Sequence, residues 1–189
     1  MINAGCPDVS IVDMKLRRAE PPDAIAVARV HVRSWQAAYR KLMPDNYLDQ
    51  LRPEDRARKY DLGSLDPLRP HTIVATESGH ILGFATTAPA HESPMSDYGE
   101  LCALYVDPDH WGRGIGFLLV SAARSRLFDL GFRNAILWVL AGNVRAERFY
   151  MKDHWAPDGV RRTDEVWGVK VDEARYKRKL EAPERGFAI

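Results

Sequence analysis

The segment of this chain best suited to hold an anion is Trp111-Gly112-Arg113-Gly114-Ile115-Gly116. It follows an apolar, strand-forming run over residues 101–106. Asp107-Pro108 closes that run, because proline cannot donate to a sheet ladder and biases its predecessor away from helix. A helical pattern follows at once in Ile115, Leu118, Leu119, Ala122, Leu127 and Leu130. Strand, glycine-rich turn and helix in this order bring main-chain N–H groups and the positive end of a helix onto one point, and glycine lets a ligand approach the backbone. The Walker spacing is absent, and glycines at every second position do not meet the dinucleotide fingerprint. The spacing therefore points to a phosphate-like group without naming its bearer, and a glycine-rich loop with no ligand stays open beside it.

A second set is His31, Trp35 and Tyr39, one helical turn apart and on one face. Two readings stand: core packing with the polar heads reaching a partner, or one wall of a ligand pocket.

The run LYVDPDHWGRGIG, with the helix after it, resembles the coenzyme A-binding motif [QR]-x-x-G-x-[GA] of the GNAT N-acetyltransferase superfamily. Gly114 and Gly116 match its two small positions; Trp111 stands where the family prefers Gln or Arg, a position that acts largely through its main-chain N–H. Further on, LWVLAGNVRAERFYMKDHW is similar to the second family motif, N-x-x-A-x-x-F-Y, with Asn143, Ala146, Phe149 and Tyr150 in the matching places. The usual glycine of its ending is replaced in His154-Trp155. The ending DEARYKRKL also resembles the last strand of bacterial members, so the likeness spans about residues 14–180.

The resemblance implies an acyl-coenzyme A N-acyltransferase fold: α/β, with a mixed, mostly antiparallel central sheet of six to seven strands flanked by helices. It implies transfer of an acetyl group from acetyl-coenzyme A, as co-substrate, to a primary amine by direct attack in a ternary complex. Cofactor contacts would come from Leu104, Tyr105 and Val106 on the strand, Trp111, Gly112, Arg113, Gly114, Ile115 and Gly116 in the turn, and Asn143, Ala146 and Phe149 beyond. Tyr150 would donate to the departing thiolate, and a strand N–H around 104–106 would meet the thioester oxygen. Glu100 resembles the catalytic glutamate of the histone-acetyltransferase branch, as base or as anchor for the substrate ammonium. His31, His71, His91 and His154 are the other candidate bases, His91 first among them. The first helices of such enzymes border the acceptor, which assigns His31, Trp35 and Tyr39 to that side. Acceptors are small-molecule or protein amines. Homodimers are frequent among such proteins, although no sequence feature sets the oligomer here. The competing function is a non-catalytic acyl-coenzyme A binding or sensing module.

Composition fits an ordered globular protein. The 189 residues hold 46% hydrophobic and 28% charged side chains, with 27 basic against 26 acidic residues and a net charge of +1. Such a balance gives no support for a nucleic-acid partner. Cys6 and Cys102 make neither a disulfide framework nor a metal pattern, no metal is expected, and Cys102 is expected to pack as a small hydrophobe within its strand. No run is long enough for a membrane span and the start lacks a leader pattern, so a cytoplasmic protein is expected.

The elements around the motifs follow from local signals. Residues 1–10 read as a weakly ordered lead-in, 11–180 as one domain and 181–189 as a tail. Strands are expected over 11–18, 71–77, 80–88, 101–106, 134–140, 160–169 and 172–180. Pro21-Pro22-Asp23 opens a first helix, Ser78-Gly79 marks a hairpin, Gly131 stops the central helix, Asn143 caps the next, and Asp158-Gly159 reads as a turn. Residues 89–97 form a long connector ahead of the central strand.

Overall fold

The structure is a computed structural model that describes residues 14–91, 95 and 97–182. The lead-in 1–10, most of the tail 181–189 and part of the 89–97 connector lie outside the described residues. Strands β1 (Lys15–Arg18), β2 (His71–Glu77), β3 (His80–Pro89), β4 (Gly99–Val106), β5 (Asn134–Leu140), β6 (Ala156–Val166) and β7 (Val169–Lys179) alternate with helices α1 (Ala24–Ala38), α2 (Asp45–Gln50), α3 (Pro53–Ala57), α4 (Ile115–Asp129) and α5 (Val144–Lys152). The strands form a seven-stranded sheet in the order β1-β2-β3-β4-β5-β7-β6. Every neighbouring pair is antiparallel except β4 and β5, which run parallel across the α4 crossover.

The period-two pattern of the strands splits the core between two faces. On β2, Ile73 and Ala75 join Leu119, Leu127 and Leu137 on the α4 side, while Val74 joins Val27, Val30 and Phe84 on the α1 side. The apolar run of β5 is covered from both directions, with Ala135, Ile136, Leu137 and Val139 all buried. No helix among the described residues is long and apolar enough to cross a membrane.

Two irregularities shape the sheet. Thr86 and Thr87 on β3 face Ala103 and Leu101 on β4, so Cys102 is the extra residue of a β-bulge. On the other side β4 meets β5 only at Gly99–Ala135 and Glu100–Ile136, after which no pairing is made and the strands splay.

The expected turn at Asp158-Gly159 lies inside β6 as a bulge, where Pro157 pairs with Tyr176 and Arg161 with Ala174. The chain reverses instead at Trp167-Gly168, with both residues at positive φ (56° and 84°) and Val166 paired to Val169. A two-residue hairpin loop of this kind favours Asn-Gly, and tryptophan hides the signal. Tertiary packing holds it: the Trp167 indole stacks on Trp35, centroids 4.0 Å apart and planes 18° apart.

Candidate active site

The splay opens a cavity of about 780 Å³ between β4 and β5, bounded by the loop before α4 and by α5. Beyond Glu100 the β4 edge has lost its strand partner, leaving main-chain groups that a ligand with amides of its own can satisfy. Of the residues expected to hold a cofactor, Leu104, Tyr105, Val106, Trp111, Gly112, Gly114, Ile115, Gly116, Asn143, Ala146 and Phe149 line this cavity. Arg113 does not; its guanidinium binds Glu77 at 2.6 and 3.2 Å and approaches His110 Nδ1 at 2.9 Å.

The turn before α4 is fixed from several directions. Val106 O accepts from Ser34 Oγ (2.9 Å) and from Trp111 Nε1 (2.7 Å), tying α1 and the turn to the end of β4. Arg33 reaches Asp107 and Asp109, both at 2.7 Å. Gly114 sits at φ 82°, where a side chain would be strained, and its carbonyl receives Phe117 N and Leu118 N. The amides of Ile115 and Gly116 have no intrahelical acceptor, so they and the α4 dipole could receive an anion. Gly116 lets Phe149 pack close: an added Cβ would lie 3.1 Å from the Phe149 ring, so the ring would have to shift by a few tenths of an ångström.

Tyr150 also lines the cavity, and its hydroxyl makes no hydrogen bond to another described residue. Burial, then Tyr105 and Asp153, push its pKa above the usual phenol value, so it is a protonated donor at neutral pH. The end of α5 sets its position. Trp155 N donates to Tyr150 O and His154 N to Met151 O, both at 3.0 Å, a Schellman motif whose left-handed residue is His154 at φ 61°. Below it, Trp155 Nε1 donates to Asp153 (3.0 Å), and Arg124 and Arg178 reach the same carboxylate at 3.1 Å. Asn143 caps the other end of α5, its Oδ1 accepting from Ala146 N at 3.2 Å.

Glu100 stands at the closed end of the splay and is not among the lining residues. Its charge reaches the Cys102 thiol, whose pKa is raised first by burial and then by Glu100. Cys102 itself corrects the expectation of simple packing: the bulge turns it into the cavity, open to solvent though protein surrounds it on most sides.

The α1 stripe divides between its two readings. Tyr39 lines the cavity, its hydroxyl 3.4 Å from that of Tyr105, and burial raises the pKa of both phenols. His31 and Trp35 are buried behind them. The His31 ring lies 4.2 Å from Tyr105 and 4.5 Å from Trp167, with Nδ1 2.6 Å from Tyr60 Oη. Burial and then Arg56 hold His31 well below its ordinary pKa, so it is a neutral packing residue in the resting site. His71, His91 and His154 lie outside the cavity lining, whereas His110 belongs to it.

Sequence reasoning passed over Trp138 and Leu140 on β5 and three basic residues of α5, Arg145, Arg148 and Lys152, all of which line the cavity. The last three recur at helical spacing, a signal that was present but reads equally well as a solvated face. Among the described residues no group of three or more His, Cys, Asp or Glu side chains could hold a metal ion.

The model of the Acetyltransferase (GNAT) family matches residues 32–154. Among curated proteins, the N-acetyltransferase YuaI of Bacillus subtilis is 28% identical over 160 residues, covering 84% of this chain and 88% of its own length. An N-acetyltransferase of Archaeoglobus fulgidus is 31% identical over 144 residues, covering 72% and 89%. Among solved structures, the acetyltransferase YncA of Salmonella typhimurium with acetyl-coenzyme A superimposes with a TM-score of 0.67 at 18% identity, covering 94% of this chain and 99% of that one.

Proposed function

This chain belongs to the GNAT acetyltransferase family, and from that premise we propose that it transfers an acetyl group from acetyl-coenzyme A to a primary amine by direct attack in a ternary complex. The observation that carries the reading is the parting of β4 from β5 just beyond Glu100, with Tyr150 on the wall of the resulting cleft. The diphosphate would rest on the amides of the turn before α4. The pantetheine arm would run along the unpaired β4 edge as a short extra strand, its thioester near Tyr150.

Each chemical task has a residue. An alkyl ammonium has a pKa of about 10.4 and must lose a proton before its lone pair can attack the thioester carbon. Glu100, at the closed end of the splay and outside the cavity lining, would take that proton through a water, or hold the ammonium until it is lost. Charge on the thioester oxygen meets a β4 amide around 104–106. As the C–S bond breaks, the Tyr150 hydroxyl donates to the leaving sulfur. Its raised pKa makes it a reluctant acid, so its contribution begins as a hydrogen bond and becomes proton transfer only as the buried thiolate gains full charge. The acceptor would lie over the Tyr39 and Tyr105 phenols on the α1 side, with Trp35 and His31 behind them.

The test is release of free thiol from acetyl-coenzyme A with a panel of small amines and peptide amines. Turnover with at least one amine, with a product acetylated at nitrogen, supports transfer. Tight coenzyme A binding with no thiol release from any amine would favour the non-catalytic binding module instead.

A further inference from the structure

Trp111 and Arg145 both line the cleft, one on the turn before α4 and the other in the first turn of α5. The Arg145 Cζ lies 3.3 Å from the Trp111 ring centroid. That is the contact distance of two flat π systems, so the guanidinium lies parallel to the indole. Face-on stacking uses none of the guanidinium's N–H donors, which all point outward in its plane. Among the described residues Arg145 has neither a carboxylate partner nor a hydrogen bond, and burial alone lowers its pKa. The platform beneath it is rigid, because the indole N–H is committed to Val106 O at 2.7 Å. Arg148 and Lys152 follow on the same helix, line the same cavity and likewise have no acidic partner among the described residues. In a chain with a net charge of +1, this concentrates positive charge along the α5 wall of the cleft.

We propose that Arg145, held flat on Trp111, is a phosphate-binding and specificity-determining residue that separates a phosphorylated, ADP-bearing acyl carrier from a bare pantetheine thioester. The inference rests on the acetyl-coenzyme A reading and assigns the part of the donor that this chain reads by side chain. A planar fork with free edge donors matches a phosphate's oxygens two at a time, which neither an ammonium nor a main-chain amide can do. Trp111 thereby acquires a role: it is the surface that orients the cation.

The experiment is calorimetric titration of coenzyme A, dephospho-coenzyme A and pantetheine into the wild type, Arg145→Met and Arg145→Lys. Loss of a charge-assisted fork is expected to weaken coenzyme A binding to Arg145→Met about ten- to hundredfold. Pantetheine affinity should stay within about twofold, the Lys variant should regain only part of the loss, and the salt dependence of binding should flatten in the Met variant. If the loss persists with dephospho-coenzyme A, the partner is the diphosphate; if it disappears, the partner is the 3′-phosphate; both outcomes support the assignment. Coenzyme A affinity unchanged in Arg145→Met, or coenzyme A and pantetheine weakened alike, overturns it. A wild type that takes up no coenzyme A at all would instead remove the acetyltransferase reading beneath it. Equal thermal melts of the three proteins exclude unfolding as the cause, and the Lys variant keeps the test decisive should the Met variant fail to fold.

Discussion

Replacing Tyr150 by Phe isolates one oxygen atom. The ring neighbours, Phe149 at 5.1 Å and Trp155 at 6.2 Å, meet a phenyl as well as a phenol. The main-chain bonds that end α5 on Tyr150 O, from Trp155 N and Asp153 N at 3.0 Å each, do not involve the side chain. Because the hydroxyl has no hydrogen-bond partner among the described residues, its removal strands no buried donor or acceptor. Stability should therefore change by less than about 1 kcal/mol. Turnover should not be spared: losing a positioned acid costs about 10²–10⁴ in rate, or roughly 2.7–5.5 kcal/mol of barrier. Thiol release at saturating acetyl-coenzyme A with the best amine of the panel measures kcat, and the KM for acetyl-coenzyme A should stay within about threefold. The phenol's raised pKa adds a second expectation. The acid is active when protonated, so the wild-type rate should show no alkaline loss assignable to Tyr150 below pH about 10. A Phe variant within about threefold of wild-type kcat would refute the reasoning, whatever its affinity for the cofactor.

Three further outcomes follow from the same structure. Gly114→Ala places a side chain at φ 82° with no neighbour within 4 Å, so the cost is backbone strain of about 1–2 kcal/mol; a lowered melting temperature with weaker coenzyme A binding is expected, and an unchanged affinity would detach the turn from the anion site. His154→Gly relieves the left-handed residue that ends α5 and, net of the extra freedom glycine gives the unfolded chain, should raise stability by about 0.5–1 kcal/mol, or roughly 1–4 °C; a fall in melting temperature would show that the imidazole contributes more than its backbone strain costs. His71 is half-buried, with its pKa lowered to about 4 by burial and then by Arg126 and Arg18. The unfolded chain, near 6.5, binds the proton first, so this contribution is complete above pH 6.5 and is lost as pH falls from 6.5 toward 4. The loss should be on the order of 1 kcal/mol once solvent screening is counted, and His71→Gln should flatten that part of the stability profile; an identical acid slope in both proteins would assign it elsewhere.

Much of this protein is legible from its residues because local physics and tertiary physics agree there. The almost unbroken apolar run 134–140 should be a strand covered from two sides, and β5 is one. Glycines ahead of a helix need their own backbone freedom, and Gly112 and Gly114 take positive φ where the pattern puts them. Asn143 caps α5 because a short acceptor side chain has little else to do at that position. The motif pair around these elements carries the family, and the match over 32–154 agrees with it.

What folding alone decided concerns contacts between segments far apart in the chain. The reversal at Trp167-Gly168 is a poor local turn that a stack on Trp35 holds in place, and the Asp158-Gly159 signal went into a bulge because pairing to β7 continues past it. Cys102 faces the cleft, not the core, since a bulge shifts the alternation of one strand by one residue, and no single-strand pattern can announce that. Arg113 and Arg145 carry the same charge in sequence. Glu77, 36 residues away, takes the first, while the Trp111 indole holds the second over the cleft. Residue type sets which chemistry a side chain can do, but the partner that occupies or orients it comes from another part of the chain, and only the folded backbone brings the two together.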